Sequence, residues 1–311
     1  MTDAAGTDPL DIPSGEAAGR ARGPQHLLMM LLGDYWFGRP EALPSAVLVA
    51  LLGEFGVSEV AARAALSRQS RRGLLDVDKR GRRTYYRLSA RSAGHFADTG
   101  RRIAAFGVGE GAPWDGRWSL VAFSVPEQQR ATRHTLREQL RWLGYAPLYD
   151  GVWVAPHGRE EEVRDVLAEL GVTTATLFAG AASQLTPAAG DPLKAWDLDA
   201  QAAAFERFAE RWGVWRKRAE GGSVSPSRAL LARTELITDW RLLMAHDPAL
   251  PAQLLPPHWP LAAARDVFAA VYDGLGPLAE FRVRQLIATE DAELATLANH
   301  HTIADLARPA P

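Results

Sequence analysis

Apolar positions between residues 24 and 106 recur at helical spacing in blocks that glycine separates. Pro24 opens the first block, which runs through Leu31 and Leu32 to about Gly33, and a loop containing Gly and Pro follows from Gly38 to Pro44. The second begins near Ser45. Its Val47, Leu48, Leu51, Leu52 and Phe55 fall on one helix face, and Gly56 ends it. Ser58 is an N-cap for a third helix, from Glu59 to about Arg72, which Gly73 stops. A helix, a short glycine turn and a capped helix make the grammar of a helix-turn-helix. Two short extended runs follow, residues 74–77 and 84–88. The link Asp78-Lys79-Arg80-Gly81-Arg82-Arg83 predicts a hairpin, the wing of a winged helix-turn-helix. Ser89 caps a further helix to about Phe106.

Beyond Trp114 the pattern changes. Residues 118–125 read as a buried strand, 126–143 as a helix, 145–154 as a bent strand or hairpin through Asp150-Gly151, 159–170 as a helix and 172–178 as a strand. This β-α-β-α-β order predicts a small ferredoxin-like sheet covered by helices on one face. A Gly/Ala/Pro/Ser linker spans 180–192. Helices are expected at 197–213, 228–246, 261–286 and 289–307, with a proline-rich strap from Pro248 to Pro260. The predicted fold class is therefore α+β. It divides into a disordered tail (1–22), a winged helix-turn-helix with a linker helix (23–106), a central ferredoxin-like domain (107–180), and a linker with a helical C-terminal domain for effector sensing (181–311).

Charge sharpens this division. The net charge of −2 is the sum of −2 over residues 1–22, +6 over 23–106 and −6 over 107–311. A basic module on an acidic body points to a polyanion partner for that module alone. On the third helix, Val60, Ala61, Ala64 and Ala65 are expected to pack inward. Arg63, Ser67 and Ser70 form an outward ridge suited to base edges in a major groove. The DNA-contacting set predicted for this helix is Ser58, Arg63, Ser67, Arg68, Gln69, Ser70 and Arg71. Lys79, Arg80, Arg82, Arg83 and Tyr85 are the wing's share, for phosphate or minor-groove contact. Arg68 falls towards the inward side, either as an ion-pair partner for Glu54 or as a phosphate clamp. Tyr85 and Tyr86 are expected on opposite faces of their strand.

The chemistry that is missing narrows the function. The chain has no cysteine, which removes disulfides, thiolate catalysis and cysteine zinc sites. No 18-residue apolar stretch and no basic-then-apolar leader is present, so no membrane partner and a cytoplasmic location are expected. The histidines show no metal spacing. No Ser-His-Asp motif, phosphate loop or dinucleotide fingerprint occurs, so neither an enzyme nor a cofactor is expected.

Ordered strings of residues resemble the PaaX-type regulators. In the first module they are Arg63, Arg68, Gly73 and Gly81-Arg82-Arg83-Thr84-Tyr85-Tyr86-Arg87-Leu88. In the middle they are Trp114-Asp115-Gly116-Arg117-Trp118, Leu140-Arg141-Trp142-Leu143-Gly144 and Gly151-Val152-Trp153-Val154-Ala155-Pro156-His157. Near the end they are Trp196-Asp197-Leu198, Arg233, Trp240-Arg241, Asp247-Pro248 and Leu254-Leu255-Pro256-Pro257-His258-Trp259-Pro260. The resemblance implies a homodimeric winged-helix repressor that binds a double-stranded DNA operator. It also implies release by an aryl-acetyl-CoA thioester such as phenylacetyl-CoA. The chain departs from the family pattern at Leu74 and at Thr238-Asp239. The expected effector contacts are Arg233, Asp239, Trp240, Arg241, His258 and Trp259; the alternative for the same side chains is a buried ion-pair network, with the strap clamping neighbouring helices. The central domain also resembles the small ferredoxin-like nucleases of CRISPR spacer acquisition. A nuclease-like or nucleotide-handling enzyme is therefore an alternative function, and a winged-helix protein-interaction scaffold is another. Against the nuclease, Phe123-Ser124-Val125 carries no carboxylate where such enzymes hold a metal.

Overall fold

The computed structural model describes residues 23–109, 113–181 and 191–308. The predicted tail, 1–22, and the middle of the predicted linker, 182–190, lie outside them. In chain order the elements begin α1 (Pro24–Tyr35), β1 (Leu43–Pro44), α2 (Ser45–Gly53), α3 (Glu59–Arg71), β2 (Leu75–Arg80), β3 (Arg83–Leu88) and α4 (Ala90–Ala105). Next come β4 (Trp118–Phe123), α5 (Arg130–Trp142), β5 (Ala146–Tyr149), β6 (Val152–Ala155), α6 (Glu160–Glu169) and β7 (Ala175–Gly180). The last are α7 (Leu198–Glu220), α8 (Pro226–His246), α9 (Leu261–Ala288), α10 (Ala292–Leu297) and α11 (Ile303–Leu306). They divide into two compact units. One takes the described residues up to Val108, Ala204–His246 and those from Pro260 onward; the other takes Gly109–Ala203 and Asp247–Trp259.

In the first unit, α3 packs on α1 and α2. The antiparallel sheet β1-β3-β2 follows. Its hairpin closes at Arg80 opposite Arg83, leaving Gly81 and Arg82 as a two-residue loop. Gly81 has φ +61°, the left-handed value that a tight hairpin asks of its first central residue. Strand β1 was expected as loop. It pairs Leu43 with Tyr86 and Pro44 with Tyr85, and as an edge strand it tolerates the missing proline N–H. Tyr85 and Tyr86 are both half-buried rather than one in and one out; the Arg80 guanidinium lies over the Tyr85 ring.

Helices α8 and α9 pack along each other, and α2 lies against α9. A stack of buried rings fills the interior: Trp240 lies parallel to Phe268 at 4.5 Å, and Phe268 lies against Tyr272 at 5.4 Å. The helix expected over 289–307 is instead two short ones. Asp291 caps α10 by accepting from the Glu293 and Leu294 amides, and Thr302 with Asp305 forms a reciprocal capping box that starts α11.

The second unit is a four-stranded antiparallel sheet in the order β5-β6-β4-β7. Of the bent strand or hairpin predicted through Asp150-Gly151, the hairpin forms: two antiparallel strands joined through Gly151, φ +72°. The unit therefore runs β-α-β-β-α-β, the predicted β-α-β-α-β order with its middle strand resolved as that hairpin. Leu136 and Leu140 of α5 and Val163 and Leu167 of α6 pack with Val121, Phe123 and Trp153 of the sheet in one core. Both helices therefore cover the same face.

Candidate nucleic-acid interface

Helix α3 is built to be held from one side. Ser58 caps it, its hydroxyl accepting from the Ala61 amide at 3.3 Å, and Glu59 places a carboxylate in the positive first turn. The side that packs inward is Ala62, Ala65, Leu66 and Gln69, all at most 1% exposed. Ala65 lies where the sequence places it, but Val60 does not: it is 80% exposed, and Ala61 and Ala64 are only half-buried. Gln69, assigned to DNA contact from sequence, is buried and donates to the Gln25 carbonyl at 3.4 Å. Small alanines occur all round this helix, so apolar character alone does not fix its rotation.

The exposed ridge is Val60, Arg63, Ser67 and Arg71. Their i, i+3, i+7, i+11 spacing keeps all four on one side. Ser70, assigned to the ridge from sequence, is half-buried. The Arg63 guanidinium is held by Glu59, Nε to Oε1 at 2.8 Å. Arg71 donates to the Ser67 carbonyl at 3.4 Å. Arg68 is half-buried, and its expected partner Glu54 is taken. Arg282 of α9 grips Glu54 with two bonds, at 2.8 and 3.0 Å, and Ser227 of α8 donates to it at 2.7 Å. The hydrogen bonds from Arg282 hold the Glu54 carboxyl below its ordinary pKa.

All of Lys79, Arg80, Arg82 and Arg83 are exposed on the wing. Arg80 pairs with Asp78 at 2.7 Å and lies over the Tyr85 ring at 4.6 Å. Arg83 approaches Glu290, beyond the end of α9, at 3.7 Å. Lys79 and Arg82 have no carboxylate partner among the described residues. Exposed pairs like Arg80–Asp78 contribute little to stability, so they exchange for phosphate at small cost.

The expected effector residues are placed quite differently. Arg233 is 0% exposed. It donates to Asp34 Oδ2 at 2.6 Å, to the Tyr272 carbonyl at 3.0 Å and to the His301 carbonyl at 2.6 Å, and its guanidinium lies 3.9 Å from the Tyr272 ring. Asp34 also accepts from the Tyr272 hydroxyl at 2.6 Å. Burial disfavours the Arg233 charge, but the adjacent Asp34 carboxylate outweighs it and keeps Arg233 protonated. Burial pushes the Tyr35 and Tyr272 hydroxyls up, so both stay neutral. Trp240 is a fully buried member of the ring stack, Asp239 accepts from Arg211 and Trp212, and Arg241 donates to Met30 Sδ at 2.9 Å. His258 and Trp259 belong to the other unit, where His258 is exposed with φ +62°. Arg233 is thus engaged in a buried ion pair with Asp34, and Trp240 in the ring stack. The helical face joining Arg233, Trp240 and Arg241 was legible in sequence; Asp34, its partner across 199 residues, was not.

Arg130, Arg133, Arg137 and Arg141 of α5 are each engaged within their own unit: Glu127, the Val125 carbonyl, Asp150 and the Trp153 ring respectively. Among the described residues no group of three or more His, Asp or Glu side chains converges as a metal site would require. None of the described helices is long and apolar enough to cross a membrane.

Three family models match this chain in order. They are described as PaaX-like protein over residues 24–92, PaaX protein central Cas2-like domain over 111–190, and PaaX-like protein C-terminal domain over 196–285. The transcriptional repressor PaaX of Escherichia coli (strain K12) is 29% identical over 275 residues, covering 86% of this chain and 85% of its own. The solved structure of uncharacterized protein Rv0674 from Mycobacterium tuberculosis shares the fold with a TM-score of 0.50 at 21% identity, over 84% of this chain and 95% of that one.

Proposed function

We propose, from the premise that this chain belongs to the PaaX family of transcriptional regulators, that it is a DNA-binding repressor. In this reading residues 23–106 are a winged helix-turn-helix, α3 enters the major groove, and the β2–β3 hairpin is the wing. The central β-α-β-β-α-β unit is ferredoxin-like in strand order. The protein acts as a homodimer on a pseudo-palindromic operator in the cytoplasm.

The observation that carries the reading is the exposed α3 ridge beside a wing whose Lys79 and Arg82 have no carboxylate partner among the described residues, in a module of net charge +6. Arg63 suits guanine and Ser67 suits a base edge, whereas the wing cations suit phosphate, which carries no sequence information. The effector is proposed to be an acyl-CoA thioester, of the aryl-acetyl type that the family resemblance implies. With Arg233 and Trp240 buried in the core, its site is not assigned to them. Family membership disfavours the nuclease and scaffold alternatives, and β4 ends at Phe123 and continues into Ser124-Val125 without a carboxylate.

Binding of the purified protein to fragments of its own upstream region tests the proposal. Arg63→Ala is expected to lose discrimination between operator and unrelated DNA. Arg82→Ala is expected to weaken both alike and to lower the salt dependence by about one phosphate contact. Failure to shift any upstream fragment at moderate salt refutes the repressor reading. A screen of acyl-CoA thioesters against their free acids, read as melting temperature, tests the effector.

A further inference from the structure

Val60 stands out among the large apolar side chains of the described residues. At 80% it is the most exposed of those on the surface, ahead of Val108 at 59%. Single exposed apolar residues are ordinary on a protein surface and need no account by themselves. Position makes this one different. Val60 lies in the first turn of α3, one residue after Glu59, on the same ridge as Arg63 and Ser67. Its neighbour on the ridge is oriented by Glu59, which accepts from the Arg63 guanidinium. The Ser58 cap fixes the turn on which all of them stand.

We infer that Val60 is a specificity-determining residue that reads the C5-methyl group of a thymine, and that Glu59 positions Arg63 beside it. The inference rests on the repressor reading above and deepens it. In a helix-turn-helix the N-terminal residues of the second helix meet the base edges. The thymine methyl is the one apolar feature that the major groove presents, and small apolar side chains are its usual partners. A β-branched valine has a stiff side chain, so the contact needs no ordering of a flexible one. Three residues of helix advance about 4.5 Å, close to the rise of about 3.4 Å between base pairs. Val60 and Arg63 therefore address neighbouring steps, and the thymine belongs next to the G·C pair that Arg63 reads.

Replacing single thymines by uracil deletes the methyl group and leaves the base pairing intact. On an upstream fragment that the full-length protein binds, one thymine beside a G·C pair is expected to give about a fourfold loss of affinity per half-site. That corresponds to about 0.8 kcal/mol for one buried carbon. Val60→Ala, which leaves a shorter apolar side chain, is expected to bind more weakly and to show a smaller penalty for that same uracil, so the two changes do not fully add. Alanine is a better helix former than valine, and an unchanged melting temperature separates lost contact from lost fold. Glu59→Gln is expected to keep the uracil response while reducing the preference for the neighbouring G·C pair. If the fragment is bound but no thymine responds, or if Val60→Ala keeps the full uracil penalty, the inference is overturned and the repressor reading stands. If no fragment is bound at all, both fall together.

Discussion

Replacing Arg233 by methionine tests how the first unit is held together. Methionine keeps most of the volume but removes the charge and every donor. Three bonds are lost at once: to Asp34 at 2.6 Å, to the Tyr272 carbonyl at 3.0 Å and to the His301 carbonyl at 2.6 Å. Asp34, only 6% exposed, keeps the Tyr272 hydroxyl at 2.6 Å and has lost its counter-charge. Removing one partner of a buried pair costs about 3–5 kcal/mol, because the other charge is stranded away from water. That is a large part of the roughly 5–15 kcal/mol by which a protein is folded. At about 2–4 °C per kcal/mol for a unit of this size, the melting temperature should fall by roughly 6–20 °C. Urea titration followed by tryptophan fluorescence gives the free energy, since Trp36, Trp212 and Trp240 are all buried in this unit. Adding Asp34→Asn should recover part of the loss, because it removes the stranded charge. A loss below about 1 kcal/mol, or strict additivity of the two substitutions, refutes the argument that this pair is a structural clasp. An Arg233→Met protein that melts normally but no longer responds to its effector would return Arg233 to the ligand site.

Two further predictions concern separate parts of the fold. His26 is held neutral by burial and by the nearby Arg241 charge, which lower its pKa from 6.5 to about 4. The unfolded chain therefore takes up this proton first as the pH falls. The stability difference is fully present above pH 6.5, declines between 6.5 and 4, and is gone below; it amounts to about 3 kcal/mol. Urea midpoints for wild type and His26→Leu should differ in their pH dependence across that window, and parallel curves would refute the assignment. Gly151→Ala forces an alanine to φ +72° and puts its Cβ 2.7 Å from the Phe123 carbonyl oxygen. The left-handed conformation alone costs about 1–2 kcal/mol, so a melting temperature equal to wild type would show that the β5–β6 hairpin adopts another turn.

What was readable in the sequence follows from how local its causes are. Ser58 and Ser89 announce their helices, and Gly81 its hairpin, because a cap or a tight turn is decided within a few residues. Strand β1 is only Leu43 and Pro44, and nothing near it demands a strand; it exists because Tyr85 and Tyr86, forty residues on, supply its partners. The rotation of α3 was lost for a related reason. Ala61, Ala62, Ala64 and Ala65 offer apolar surface in several directions, and the choice is made by α1 and α2. Val60 therefore looked like core and Gln69 like surface, and both are the reverse. In α8 the pattern correctly united Arg233, Trp240 and Arg241 on one face. Their charge and rings suggested a ligand, but the direction of the face is set by Asp34, Phe268 and Tyr272, none of which is local.

The clasp between Asp34 and the far end of the chain also bears on synthesis. Besides Arg233, the His301 ring meets the Asp34 carbonyl at 3.2 Å, a separation of 267 residues. At about 5–20 residues per second, the ribosome needs on the order of half a minute to deliver one after the other. Until Arg233 and then Tyr272 are made, the helices proposed to read DNA exist without the groups that neutralise Asp34 and close the ring stack. The newborn N-terminal region therefore carries Asp34 without its partners until those later residues arrive. A ribosome stalled before residue 233 displays an N-terminal module still lacking its clasp.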